Sequence, residues 1–525
     1  MSEESVDYDV VVVGGGPAGL AASIRLRQLA RQRGEDLSVC LLEKGATIGA
    51  HTLSGAVFDP KSLNKLIPDW ADRGAPVSLP VSSERFFWLS EKSRFPLPAP
   101  SSLHRGCYVI SLGALTRWLA GEAERVGVEI YPGFAATSLL FSQQGGVEGV
   151  VSGDKGVDKQ GKRRKNYQPG LKIRARQTLL AEGCRGELSG QVIARFGLDG
   201  ASQPQSYSLG IKELWEVDSA QHRPGLVVHT LGWPLATNHY GGGFVYHQEQ
   251  NRLAIGLVMG LEYEQANLDL FALFQRFKTH PLHRTLLQSG RRIGFGARTL
   301  VEGGVQSLPK LTFPGGMLLG DAGGTMDVGR MKGCHTALYS GQLAAEAAFG
   351  LITEGQEERG SEYASALKRS WLWRDLWRSR NLRPGFRWGV AGGGIHGAVD
   401  QGVLRGRAPW TLSHREKGLR IDPGPHPCRP ATPSLQVDDL VTFDRASSLY
   451  LAALSYEEDQ PCHIQTTRTT PADNQLRHYC PAGVFSSVMV PGNCLQCKGC
   501  DIKDADPQLR WSAPEGGDGP HYLDM

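Results

Sequence analysis

The chain has 525 residues, 40% of them hydrophobic, and its 57 Lys and Arg nearly balance 53 Asp and Glu for a net charge of +4. That length allows about three domains with large cores. Ten cysteines are too few for a disulfide scaffold of this size and suit a reducing compartment, and no uncharged apolar stretch approaches the roughly 20 residues needed to span a bilayer.

The N-terminus is short and acidic (Glu3, Glu4, Asp7), with no secretory or Arg-rich leader ahead of the first predicted strand. Tyr8 to Val13 reads as a short buried strand with four consecutive valines, ending at Gly14-Gly15-Gly16-Pro17-Ala18-Gly19 and an apolar helix. In such a turn the first glycine closes the bend, Gly16 lets the backbone approach a pyrophosphate, and Gly19 lets helix pack on strand. The helix N-terminus adds N–H groups and a positive dipole for the phosphates. A second strand, Ser38 to Leu42, ends in Glu43, where a carboxylate would accept from an adenosine ribose hydroxyl. Together these features predict a dinucleotide site.

Farther along, Gly153 to Gln168 is charged and glycine-rich and reads as a solvated loop or hairpin; no nucleic-acid recognition motif accompanies it. Ala181-Glu182-Gly183-Cys184-Arg185-Gly186 follows a strand, and residues 201–300 contain strand-like runs such as Leu253 to Val258. Leu318-Leu319-Gly320-Asp321-Ala322 reads as a strand ending in Gly-Asp before a small-residue helix. Alone it would be a turn. After the other two stations, Asp321 is placed to bind ribityl hydroxyls, which FAD has and NAD lacks. The three stations in this order resemble the glucose-inhibited-hydroxylase type of FAD fold.

Trp371 to Arg378 opens a Trp- and Arg-rich stretch reaching Trp388, and Gly389 to Val403 is apolar but glycine-rich. Tryptophan favours the headgroup level and arginine attracts anionic lipid, although packing on the flavin domain would also use such a helix. Pro423 to Pro433 is proline-rich and marks the approach to a last domain. There Cys494, Cys497 and Cys500 form a Cys-x2-Cys-x2-Cys run, and Cys480 lies upstream, followed by Pro481. Bacterial ferredoxins hold a [4Fe–4S] cluster this way. Zinc is the competing occupant, though zinc modules usually present cysteines as separated pairs. Cys40, Cys107, Cys184 and Cys334 sit in apolar or glycine-rich surroundings and read as buried small residues.

A flavin fold joined to such a cluster resembles the electron transfer flavoprotein–ubiquinone oxidoreductase family. The matching stretches include Gly49 to Gly55, Gly232-Trp233-Pro234-Leu235, Tyr240-Gly241-Gly242, Pro309 to Gly316, Cys480 to Val484 and Cys500 to Asp504. The resemblance implies an electron-transferring-flavoprotein dehydrogenase that carries FAD and one [4Fe–4S] cluster. Electron transfer flavoprotein would be its donor, ubiquinone its acceptor and a membrane surface its site of work. Such a protein would sit on the cytoplasmic face of a bacterial inner membrane, or on the matrix face in mitochondria if a leader has been removed. A single complete dinucleotide fingerprint agrees with a protein donor. Gly241 and Gly242 match the glycines whose backbone approaches the quinone head, and the segment Ile48 to Asp69 matches a membrane-inserted surface.

The implied division is a discontinuous α/β FAD domain (1–60, 106–200 and 300–365), an antiparallel-sheet quinone domain (61–105 and 201–299), a helical connector (366–430) and a ferredoxin-like domain (431–525). Two departures from the family pattern stand out. The Cys480–Cys494 spacer is short, which implies a truncated hairpin, and Met326-Asp327-Val328-Gly329 places Asp327 where the family has Asn. An ionised Asp327 beside the flavin would oppose its anionic reduced form. A single-component flavin monooxygenase or prenyl reductase with a zinc-bound tail, and a non-catalytic scaffold, are the competing readings.

Overall fold

The computed structural model describes residues 5–54, 57–98, 103–263, 267–355, 360–414, 436–466, 476–485, 488–504, 509–522 and 524–525. The proline-rich stretch 423–433 lies outside the described residues.

Four valines at positions 10–13 form the centre of the first sheet because β-branched side chains suit a strand buried on both faces. Strand order is Thr312–Phe313, Gly316–Leu318, Lys172–Leu180, Ser5–Val13, Val39–Glu43 and Glu129–Pro132, with all neighbours parallel except the first pair. Period-2 alternation divides the valines between two cores. Val10 and Val12 meet the helices Pro17–Arg33, Leu112–Arg125 and Cys334–Glu354. Val11 and Val13 meet the strands Ala136–Phe141 and Val147–Ser152 and the helix Glu187–Phe196.

The first helix begins with Pro17 in its first turn and stops at Gly34, whose left-handed conformation returns its N–H to the carbonyls of Ala30 and Arg31. It packs very closely on Cys334–Glu354, since a Cβ at Gly341 would lie 2.2 Å from the Ala18 carbonyl oxygen. The charged run at 153–168 is a hairpin of Lys155–Val157 and Arg163–Gln168.

The second sheet has seven strands in the order Arg291–Val301, Tyr207–Glu216, Arg252–Gly260, Gly241–His247, Leu226–Gly232, Ser83–Leu89 and Arg94–Leu97. It is antiparallel except where Leu226–Gly232 runs parallel to Ser83–Leu89, which brings an earlier segment of chain into the sheet. The helix Leu270–Lys278 covers one face with Phe271, Phe274 and Phe277. Phe443, Tyr479 and Phe485 of the C-terminal region join the same core. There Glu213, fully buried, is bracketed by Lys278 at 2.8 Å and Arg292 at 3.2 Å, and the Arg292 guanidinium lies 3.5 Å from the Phe443 ring centroid. Removing one member of such a buried set strands the others' charge.

The C-terminal region has little regular structure, with the short helices Arg445–Tyr450 and Gly499–Lys503 and the strand pair Ile464–Gln465 and Arg510–Trp511. Within the short spacer, Phe485 and Met489 form an antiparallel bridge beside a hydrogen bond from Val490 N–H to the Val484 carbonyl; residues 486–487 lie outside the described residues. The tail then returns to the first domain, where Gly517 N–H donates to the Lys44 carbonyl and Tyr522 N–H to that of Ala50.

Candidate functional site

The glycine turn sits at the C-terminal end of the first strand, opening a cavity of about 1220 Å³ that continues to the second sheet. Gly14 has φ +109°, and a Cβ there would meet the Ala181 carbonyl oxygen at 2.4 Å, so this bend requires glycine. Gly19 approaches the Gly14 carbonyl just as closely. Gly16 has no protein atom near its missing side chain and lines the cavity, as do Pro17 and Ala18. Glu43 is tied to this turn: one carboxylate oxygen accepts from Gly15 N–H at 2.8 Å and the other from Gly45 N–H at 2.7 Å. It lines the cavity beside Gly14 and Gly16.

Gly320, also in the left-handed region, is held by a hydrogen bond from its N–H to Ser340 Oγ at 2.8 Å. Asp321 follows it into the cavity, and its Oδ1 is buried with no hydrogen-bond partner among the described residues. Burial pushes this carboxyl up to about 6, opposed by the charge of Arg298. An acceptor left without a donor calls for a ligand hydroxyl. With the open face at Gly16 and the carboxylate of Glu43, these residues fit an FAD molecule: pyrophosphate at the helix N-terminus, adenosine ribose at Glu43 and ribityl chain at Asp321.

Glu182, in the middle station, also lines the cavity, but its carboxylate is already engaged. It caps the helix Glu187–Phe196 by accepting from the N–H groups of Leu188 and Ser189. Asp327 is buried and lines the same cavity; its Oδ2 has no hydrogen-bond partner among the described residues. Burial, with the nearby charge of Asp375, pushes its carboxyl up to about 6.

Gly241 and Gly242 open the strand Gly241–His247 and line the cavity with Thr230, Leu231 and Val258. Gly241 has φ +151°, and a Cβ on it would meet the Val258 carbonyl oxygen at 2.3 Å. The two glycines and the flavin cradle therefore share one cavity.

Cys480, Cys494, Cys497 and Cys500 are all buried beside the second sheet. Left-handed turns at Gln496 and Lys498 wind the loop so that Gln496 N–H donates to Cys494 Sγ at 3.3 Å. Burial pushes all four thiols up, Cys497 to about 12, and the sulfurs' proximity to one another adds to the shift. Four buried cysteines would be held as thiolates there only with a bound metal to offset their charge. Among the described residues no three His, Cys, Asp or Glu side chains close on a single ion. Thr299 joins the two sites: it lines the cavity, and its N–H donates to the Cys497 carbonyl at 3.2 Å. Beside it Arg298 also lines the cavity and donates to the Gln496 carbonyl at 3.2 Å.

The outer end of the cavity is lined by Phe386, Gly393, Gly397, Ala398 and Gln401. Here the structure divides the Trp-rich segment. In the helix Trp371–Ser379, Leu372 and Leu376 are buried and Trp371 and Trp373 pack against the flavin-domain core. Beyond them Trp377 (46% exposed), Trp388 (54%), Ile395 (69%) and Val403 (74%) form an apolar surface. Arg380 holds it together, donating to the carbonyls of Trp377, Gly406, Ala408 and Trp410 and to Thr411 Oγ1.

Two expectations are corrected. Trp373 is half-buried and packs against the flavin-domain core, beside the buried Leu372 and Leu376. In the segment Ile48 to Asp69, the apolar side chains of Ile48, Phe58, Leu63, Leu66 and Ile67 are buried in the flavin-domain core and are not available to a membrane. Sequence reasoning missed Arg298 and Asp375, which face the cavity from a strand and a helix of ordinary pattern. It also missed His229, whose neighbours come from distant segments.

Fold and site define a flavin-dependent oxidoreductase fold with a C-terminal iron–sulfur module. The family described as "ETF-QO, ubiquinone-binding" matches residues 207–300, and "Electron transfer flavoprotein-ubiquinone oxidoreductase, 4Fe-4S" matches 439–523. A "NAD(P)-binding Rossmann-like domain" matches 12–87. The electron transfer flavoprotein–ubiquinone oxidoreductase of Pseudomonas aeruginosa is 43% identical over 100% of both chains. The mitochondrial protein of that name from Oryza sativa subsp. japonica is 45% identical, over 99% of this chain and 94% of its own. The chain belongs to the electron transfer flavoprotein–ubiquinone oxidoreductase family. Among solved structures, a geranylgeranyl bacteriochlorophyll reductase-like protein from Thermoplasma acidophilum shares the fold, with TM-score 0.56, 22% identity and coverage of 71% of this chain and 86% of its own.

Proposed function

We propose that this chain is an electron-transferring-flavoprotein dehydrogenase, which takes electrons from reduced electron transfer flavoprotein through its [4Fe–4S] cluster and FAD and delivers them to ubiquinone at a membrane surface. The observation that carries this reading is the shared cavity: flavin cradle and quinone glycines line one space, and Thr299 touches both that space and the cluster loop. FAD, when bound, couples single-electron transfer to a two-electron acceptor.

The chain's own residues have holding and insulating roles. Gly14, Gly15, Gly16, Pro17, Ala18 and Gly19 receive the pyrophosphate, Glu43 the ribose, and Gly320 and Asp321 the ribityl chain. Cys480, Cys494, Cys497 and Cys500 ligate the cluster, and the backbone of Gly241 and Gly242 meets the quinone head. The four-part division into flavin, quinone, connector and ferredoxin-like domains is part of the same reading.

Among the described residues no helix is long and apolar enough to cross a membrane. The surface of Trp377, Trp388, Ile395 and Val403, with exposed Arg374, Arg405 and Arg407 beside it, suits peripheral attachment: apolar side chains enter the interface and arginines attract anionic lipid. The face is the cytoplasmic side of a bacterial inner membrane, or the matrix side in a mitochondrion. The purified chain is expected to show flavin absorption bands over a broad iron–sulfur shoulder, and a low-potential EPR signal on reduction. Flavin bands with zinc in place of iron would contradict the proposal.

A further inference from the structure

Three titratable side chains from distant parts of the sequence meet beside the Gly241–Gly242 end of the cavity. His229 lies on Leu226–Gly232, paired in register with Phe86 of the neighbouring strand, and lines the cavity. Its ring stacks on Phe86 at 4.9 Å and on His104 at 5.2 Å, the latter with the planes only 10° apart. His104 Nδ1 lies 3.0 Å from Glu84 Oε1; the His104 side chain is fully buried, whereas that of Glu84 is 15% exposed. The series thus runs from solvent through the protein to the cavity wall.

The Nε2 atoms of both imidazoles are buried without a hydrogen-bond partner among the described residues, and His104 Nδ1, although 3.0 Å from Glu84 Oε1, makes no aligned hydrogen bond to it. Packing alone does not explain two such atoms, since an unpaired buried polar group opposes folding. They offer the polar contacts that a bridging water or a ligand oxygen needs.

We propose that Glu84, His104 and His229 form a proton relay from solvent to the head group of the quinone held at Gly241 and Gly242. The inference rests on the function proposed above. Reducing a quinone to its quinol turns two C=O groups into two C–OH groups and needs two electrons and two protons. The electrons come from the reduced flavin. His229 releases a proton to the quinone oxygen and regains one from His104 through a water that bridges the ring edges, since N–H groups of stacked rings do not point at each other. His104 is resupplied by Glu84, and Glu84 by water, once for each proton that passes this way.

Burial, with the charge of Lys332, pushes His104 down to about 2 and His229 to about 3. Both rings are neutral at pH 7, and a neutral imidazole presents one N–H and one bare nitrogen, so it can take a proton on one side as it releases one on the other. The other groups facing the stack are Lys332, whose Nζ donates to the Leu103 carbonyl, Arg330, which pairs with Asp59 at 2.7 Å, Cys107, and Tyr246 at the edge of His229. Lys332 and Arg330 make the local potential positive, which favours the oxyanion that precedes protonation.

The test uses the full chain loaded with FAD and cluster, compared as wild type, His229→Phe and Glu84→Gln. Two acceptors are used: a short-chain ubiquinone, and ferricyanide, which takes electrons without protons. Quinone turnover in His229→Phe should fall about 100-fold, the lower end of what a positioned proton donor contributes. Ferricyanide reduction and quinone affinity, read by fluorescence titration, should stay within about twofold of wild type. Glu84→Gln, nearer the surface, should lose about tenfold and shift the pH profile of quinone turnover, with small weak acids in the buffer restoring the rate. Less than a threefold effect in both variants, equal loss with both acceptors, or a loss explained by quinone affinity would overturn the relay. A wild-type chain that reduces ferricyanide but no quinone would instead contradict the proposed function.

Discussion

The inner and outer ends of the cavity are made of unlike material. At the inner end a strand, a glycine turn and a helix hold the flavin cradle in regular geometry. At the outer end the same space is walled by the glycine-rich helix Gly389–Gly397, a π-helical turn at Ala398–Val403 and a loop gathered by one arginine. The inner end leaves one carboxylate oxygen each of Asp321 and Asp327 without a partner among the described residues; the outer end exposes tryptophan. The difference teaches that one cavity can face a cofactor and a lipid-dissolved substrate when its walls change in kind along its length.

The largest effect should come from breaking the inner end alone. Gly16→Val puts a branched side chain where phosphate must approach, so folded protein is expected with flavin occupancy near zero and liposome binding unchanged. Absorbance and vesicle sedimentation read the two ends separately, and full occupancy would refute the cradle. Cys497→Ala should be equally complete but local to the cluster: iron and the low-potential EPR signal vanish while FAD remains. Retention of both would refute the ligand assignment.

The Gly-x-Gly cradle and the cysteine run were legible in sequence because their chemistry depends on neighbours a few residues apart. Glu43 was legible for the same reason, from its place at the end of the next strand. The Trp-rich helix was not. Its tryptophans at 371, 373 and 377 have one composition, and Trp373 and Trp377, four residues apart, even share a side of the helix, so only the fold decides how far along the helix the core reaches. The buried stretch Ile48 to Asp69 was misplaced because an apolar run looks alike in a core and on a membrane face. The Glu84–His104–His229 series was invisible, since parallel strand pairing brings the segments of residues 84 and 229 together and a turn outside the sheet supplies residue 104.

The outer end can be sharpened by a pair of substitutions. Trp377→Ser with Trp388→Ser should reduce quinone turnover in anionic liposomes by about tenfold and leave a soluble short-chain quinone within about twofold, because apolar anchoring contributes on the order of 1 kcal/mol or more per side chain. Trp373→Ser should lower thermal stability instead, by about 2 kcal/mol, through lost core packing. If Trp373→Ser acts only in liposomes, the division of this helix is wrong.

The smallest expected effect is a shift at the inner end. Asp327, whose carboxyl is raised to about 6 by burial and Asp375, is ionised at pH 7 and protonated below pH 5. Its negative charge opposes an anionic reduced flavin, so Asp327→Asn should raise the flavin potential at pH 7.5. A two-electron couple moves about 30 mV for roughly 1.4 kcal/mol of repulsion removed. Near pH 5 the wild type and the variant should converge. A pH-independent difference would mean that Asp327 acts through shape and not charge.

The central claim is that electrons enter from a flavoprotein and leave on a quinone through one chain. The most direct measurement mixes the loaded protein with reduced electron transfer flavoprotein and ubiquinone in anionic liposomes, and follows donor oxidation and quinol formation together. The account predicts quinol appearing at one equivalent per two electrons lost by the donor, abolished by Gly16→Val. Donor oxidation without quinol, or undiminished quinol formation from flavin-free protein, would contradict it.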